Sequence, residues 1–142
     1  MGDLTKNLSR NEFDCPCGCK ETPVDFDLPS VLQDCVDHFA HLEHGRSLMF
    51  QRVACTINSG YRCAEHNATI EDASDTSKHV LGMAADHKME WVYGDGTRKQ
   101  IPPDDIADYY EHRYPNQYGI GRYNTFTHID TRKHVARWDY RT

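Results

Sequence analysis

Between Ser77 and Asp86 the chain reads Ser-Lys-His-Val-Leu-Gly-Met-Ala-Ala-Asp, and this stretch constrains the molecule more than any other. It sets an imidazole, His79, and a carboxylate, Asp86, on either side of six residues, three of them glycine or alanine. Both groups are good zinc ligands, and one more would complete the protein's share of a catalytic site, which keeps one position open. The small residues suit a tight turn running into a strand, where bulk would block close packing. Taken alone, the pattern also fits a solvated histidine ahead of a buried strand. The choice turns on whether the chain supplies a third ligand and a substrate-binding group.

A chain of 142 residues fits one domain, 1–142, with a core of its own. Residues 1–27 form a cysteine-rich N-terminal segment of that same domain. The net charge of -6 argues against a nucleic-acid partner. No apolar run is long enough for a membrane span, and the N-terminus lacks a signal-peptide core. The expectation is a monomer made in the cytoplasm, with thiols mostly reduced. Nine histidines make a metal site more plausible, although most must be bystanders.

The chain opens with a turn at 8–13, then Cys15-Pro16-Cys17-Gly18-Cys19. Three thiols at alternate positions could join Cys63, Cys35 or a histidine around a structural zinc ion. The spacing differs from C-x-x-C, however, and alternate residues of an extended chain point to opposite sides. Loop or buried thiols, with or without one oxidised pair, are therefore preferred to a second metal at Cys15, Cys17 and Cys19. From Leu28 to Leu48, apolar residues recur at spacings of three and four, which predicts a helix ended by Gly45. His38, His41 and His44 read as its solvated face. Residues 52–59 are strand-like and run into Gly60-Tyr61-Arg62, which puts Arg62 at a sheet edge. Its planar fork suits a substrate carbonyl or carboxylate; a surface ion pair is the alternative. A short helix or turn follows at 64–70, then an acidic loop at 71–76 whose oxygen spacing matches no calcium loop.

Asp86 should lie on a strand over 83–89, followed by a hairpin turning at Gly94-Asp95-Gly96. Pro102 and Pro103 begin another helix, to about Arg113. A glycine-broken strand at 118–123 precedes an alternating strand at 125–132. On the latter, His128 and Asp130 share a face, which offers a third ligand and an adjacent carboxylate. Trp138 is expected as a lid on the core. The fold class is α+β, a small central antiparallel sheet with helices packed on one face.

In this order, Ser59-Gly60-Tyr61-Arg62, Ser77-x-His79-x-x-Gly82-x-Ala84-Ala85-Asp86 and Phe126-Thr127-His128-Ile129-Asp130 resemble the zinc D-alanyl-D-alanine carboxypeptidase family. That family includes phage L-alanyl-D-glutamate endolysins, and its fold is related to the hedgehog signalling domain. The likeness runs from about Ser9 to Trp138, and its late segment looks most like the compact phage and bacterial branch. It implies one zinc ion held by His79, Asp86 and His128. It also implies that Arg62 meets the substrate near the scissile carbonyl, that Ser77 helps hold the substrate, and that a peptidoglycan stem peptide is the partner. Tyr61, Tyr123 and His134 are further candidates for the cleft wall.

Many members carry an acidic general base three positions before the last zinc histidine; here that position is Thr125. Asp130 is then the candidate base, its alternative role being to accept a hydrogen bond from a ligand histidine or Arg132. The expected activity is zinc-dependent amide hydrolysis by a phage-type endolysin, released to the wall by another protein, or by a cell-wall carboxypeptidase. The alternative is a non-catalytic zinc-fold module with a binding or virion role, which Thr125 keeps open.

Overall fold

A computed structural model describes residues 2–19, 23–70 and 77–142. The acidic loop 71–76 lies outside the described residues. After a single turn of 3-10 helix, Arg10–Phe13, come α1 (Asp27–His44), β1 (Phe50–Ser59), α2 (Ala64–Asn67), β2 (Ala84–Tyr93) and β3 (Arg98–Gln100). They are followed by α3 (Pro103–Arg113), β4 (Gly119–Arg122), β5 (Thr127–Asp130) and β6 (Ala136–Asp139). The α+β architecture is as expected, a six-stranded sheet with helices against it. The strands run β1-β2-β5-β4-β6, with β3 also on β2. β2 shares one edge between β5, paired to its first half, and β3, paired to its second. Every pairing is antiparallel except β4 with β6, which is parallel. No helix among the described residues is long and apolar enough to cross a membrane.

Period-two alternation sorts the sheet into two faces. Ala85, His87, Met89 and Trp91 of β2, Thr127 and Ile129 of β5 and Ile120 of β4 are all buried, and most join the core beneath the helices. Helix α1 buries Leu28 and, of the stripe expected at Val31, Leu32, Cys35, Val36, Phe39 and Leu42, all but the partly buried Leu42, and α3 adds Ile106, Ala107 and Tyr110. His38, His41 and His44 are exposed, as a solvated face requires. Asp86, His128, Asp130 and Gly119 occupy the opposite parity, on the sheet face away from the helices. Trp138 differs from expectation. It is half-buried on this second face, its ring 4.9 Å from that of His128, so it shields the site rather than the core.

The thiols also depart from the sequence reading. The sulfur atoms of Cys15, Cys17, Cys19 and Cys63 gather within 4.8 Å of one another, where loop thiols pointing apart were expected. The segment is a turn, not an extended chain. Gly18 N–H donates to the Cys15 carbonyl at 3.1 Å, and Gly18 has a φ of 79°. All six cysteines are free.

One polar pair is sealed in the core. His87 is wholly buried; the Tyr110 hydroxyl lies 2.8 Å from its Nε2, and its Nδ1 donates to the Ala85 carbonyl at 3.2 Å. Burial pushes the imidazole down from its ordinary 6.5 to about 4, against the opposing pull of the Ala85 carbonyl and Asp86. Between those values the unfolded chain binds a proton that the folded chain refuses, so stability falls as pH falls through that window. This residue should therefore cost ~3 kcal/mol of stability by pH 4. In urea melts from pH 7 to 4, His87→Gln, which keeps an acceptor for Tyr110, should lose that part of the pH slope; equal slopes would refute it.

Candidate active site

The sheet register builds the first half of the site. Asp86 on β2 and His128 on β5 are direct cross-strand partners, so their side chains leave the same face side by side. His128 Nδ1 lies 2.8 Å from Asp86 Oδ1. The second half comes from the turn before β2. Val80, Leu81 and Gly82 N–H groups donate back to Ser77, Lys78 and His79 carbonyls, curling the chain so that His79 Nε2 stands 3.4 Å from the same carboxylate oxygen. The turn needs Gly82 twice over. Its φ is 69°, and a Cβ there would sit 2.2 Å from the Pro23 carbonyl oxygen.

Each ring is aimed from behind. His79 Nδ1 donates to the Gly60 carbonyl at 2.7 Å, leaving Nε2 to face the centre. His128 uses the opposite nitrogen. Its Nε2 donates to Asp130 Oδ2 at 2.7 Å, leaving Nδ1 to face the centre. Asp130 is fully buried, and Arg132 grips both its oxygens, Nε to Oδ1 at 2.7 Å and Nη2 to Oδ2 at 2.8 Å. Gly119 makes room for this carboxylate, since a Cβ would come 2.4 Å from Oδ2. Asp130 thus accepts from the His128 ring edge that faces away from Asp86, and both its oxygens are engaged. These are the contacts that its alternative role, accepting from a ligand histidine or Arg132, requires.

The electrostatics follow the geometry. Burial drives the Asp86 carboxyl up, but His128 and His79 outweigh it and hold it well below the usual carboxylate range. Asp130 is likewise held low by His128 and Arg132 against the push of burial. Burial lowers His128, yet its two carboxylate neighbours win and raise it above 6.5.

His79 Nε2, Asp86 and His128 Nδ1 have the donor chemistry for a divalent metal, all three atoms lying within 4.8 Å of one another. The 3.4 Å separation of His79 from Asp86 is close to the edge, about 3.3 Å, of a tetrahedron with zinc–ligand bonds of about 2.0–2.1 Å. Among the described residues no fourth His, Cys, Asp or Glu joins them, so the group offers three candidate ligands, the number at which a catalytic site keeps a place open. The sequence profile of the peptidase M15 family matches residues 6–130. The chain belongs to the peptidase M15 family. No curated protein and no solved structure matches it in the corresponding searches. Membership of this metallopeptidase family accords with a His–Asp–His group of three candidate ligands.

The other candidate residues of this M15 peptidase are placed as follows. Arg62 leaves the end of β1 half-buried, its backbone N–H on the His79 carbonyl at 3.1 Å and its Nη2 on Ser77 Oγ at 3.3 Å. Its Nε is buried with no hydrogen-bond partner among the described residues. Tyr61 is buried, with its N–H on the Phe13 carbonyl. Tyr123 accepts a hydrogen bond from Trp138 Nε1 at 3.0 Å and lies within electrostatic reach of Asp86 and Arg62. Thr125 and His134 are exposed, and His134 belongs to no ligand group. The contributions of the Gly60 carbonyl and Gly119 escaped the sequence reading, because a backbone carbonyl and a missing Cβ leave no chemical signature in a residue list.

Removing the orienting carboxylate tests this geometry. Asp130→Asn should weaken divalent-metal binding by about 10–100-fold, measured by competition with a chromophoric chelator, while circular dichroism reports a retained fold. Unchanged affinity would deny Asp130 its hold on His128. Proton competition should also make affinity fall as pH drops through the raised His128 value, beginning above an ordinary histidine's range.

Proposed function

We propose that this M15 peptidase is a zinc-dependent hydrolase of an amide bond in peptidoglycan stem peptides, acting as a phage-type endolysin or a cell-wall carboxypeptidase. The observation that carries the reading is the group of three candidate ligands, set beside an arginine whose buried Nε has no hydrogen-bond partner among the described residues. The substrate class rests on the likeness of the motifs at 59–62, 77–86 and 126–130 to those wall peptidases.

A zinc ion held by His79, Asp86 and His128 supplies Lewis acidity toward a carbonyl and acidifies water. The chain does the rest. Arg62 offers Nε and its second amino group to the carbonyl oxygen of the scissile bond, so that a charge developing there meets a fixed cation. An unsatisfied buried donor costs about 1–3 kcal/mol, and substrate would relieve it. Ser77 Oγ holds the guanidinium in place. Burial raises the Tyr123 phenol, so it stays protonated and serves as a second donor beside Arg62. Tyr61 lines the approach. Asp130 is a positioning residue, holding His128 Nε2 so that Nδ1 is presented to the ion.

A specific observation favours a second reading, a non-catalytic zinc module. Thr125 replaces the acidic residue of many relatives, and Asp130 has both oxygens committed. One experiment separates the two. Purified protein is incubated with sacculi, and released fragments are identified by mass spectrometry, with chelator and after zinc is restored. Hydrolysis that disappears and returns supports the peptidase; release of single D-alanine marks a carboxypeptidase, and internal cleavage an endopeptidase. Protein with stoichiometric zinc that frees no amine from any sacculus would leave the binding module. Arg62→Ala should lower kcat by about 10²–10³-fold with zinc content unchanged.

A further inference from the structure

A second cluster, which includes the residue directly after Arg62, is unused by the proposed chemistry. Its members are Cys15, Cys17, Cys19 and Cys63. The sulfur separations are 3.3 Å for Cys15–Cys17, 3.5 Å for Cys17–Cys63 and 3.7 Å for Cys15–Cys63. A disulfide requires about 2.05 Å, so no pair is bonded. Four thiolates around zinc at about 2.3 Å form a tetrahedron with edges of about 3.8 Å, close to what these thiols show. They come from two segments 48 residues apart, converging without a covalent link.

We propose that Cys15, Cys17, Cys19 and Cys63 bind a structural zinc ion as a closed four-thiolate site. Count and donor type both point this way. A site with four protein ligands has no room for substrate, unlike the three-ligand group, and soft thiolates select zinc over harder cations. The backbone supports the charge such a site would carry. Cys63 N–H donates to Cys15 Sγ at 3.4 Å, and His66 N–H donates to Cys63 Sγ at 3.4 Å. The Pro16–Gly18 turn is what brings thiols of alternate positions to one side.

The placement gives the ion a task. Cys63 directly follows Arg62, and Cys15 lies two residues beyond Phe13, whose carbonyl takes the Tyr61 N–H at 2.8 Å. The same strand end carries the Gly60 carbonyl that aims His79. Four thiolates on one ion therefore clamp the N-terminal segment to the residues that orient one metal ligand and present the substrate-binding arginine. The sheet register does this on the other side for Asp86 and His128.

Metal analysis tests the assignment without reference to hydrolysis, so its failure is distinct from failure of the peptidase reading. Protein prepared with zinc under reducing conditions should hold two zinc ions per chain. The double variant His79→Ala with His128→Ala should keep one. Loaded with cobalt, that variant should show sulfur-to-cobalt charge-transfer absorption in the near ultraviolet, and its four clustered thiols should resist alkylation until chelator is added. Cys17→Ser should lose the absorption and one zinc while retaining the other. The proposal is overturned if the folded double variant carries no metal and its thiols alkylate at once, if it carries iron instead, or if mass spectrometry finds these cysteines in disulfides.

Discussion

The pairing of Asp86 with His128 across β2 and β5 is the contact on which the remainder depends. Cross-strand partners are held at one separation by the backbone ladder, so two ligands are placed before any side chain chooses a rotamer. The same ladder makes the arrangement unforgiving. A slip of one residue would turn His128 into the core and bring Thr127 or Ile129 to the site face. That slip is opposed by the burial of Ala85, His87, Ile129 and Thr127 on the helical side. The hydrophobic core thus sets the register, and the register sets the site.

Gathering charge at a half-dry surface costs free energy unless every charge is answered. Asp130, wholly buried, is answered by His128 and by both arms of Arg132. His79 is answered by a carbonyl and Asp86 by two imidazoles. The buried Arg62 Nε has no hydrogen-bond partner among the described residues. Glycine makes the arrangement possible at two points. Gly119 leaves space for the Asp130 carboxylate and Gly82 for the Pro23 carbonyl.

The two groups of metal-capable side chains differ in a physically telling way. One has three mixed nitrogen and oxygen donors; the other has four sulfurs. They flank the short run Gly60–Cys63, whose backbone touches both. The end of β1 thereby connects the two groups.

Much was legible in the sequence because it depends on local period and residue type. The alternation at 125–132 put His128 and Asp130 on one face, the three-and-four spacing marked α1, and the motif at 77–86 marked two ligands. What the residue string could not express was partnership at a distance. Whether Asp130 faced the ligand atoms or stood behind His128 depended on which edge of the ring each strand neighbour reached, and on Arg132 folding back to hold it. Alternation likewise assigned the thiols of Cys15, Cys17 and Cys19 to opposite sides, because that rule assumes an extended chain; the turn at Gly18 and the arrival of Cys63 brought them together. Residue identity and period determined the elements and the ligand types. Only the tertiary structure decided which atoms meet, because that depends on strand register, backbone carbonyls and the space left by a missing Cβ.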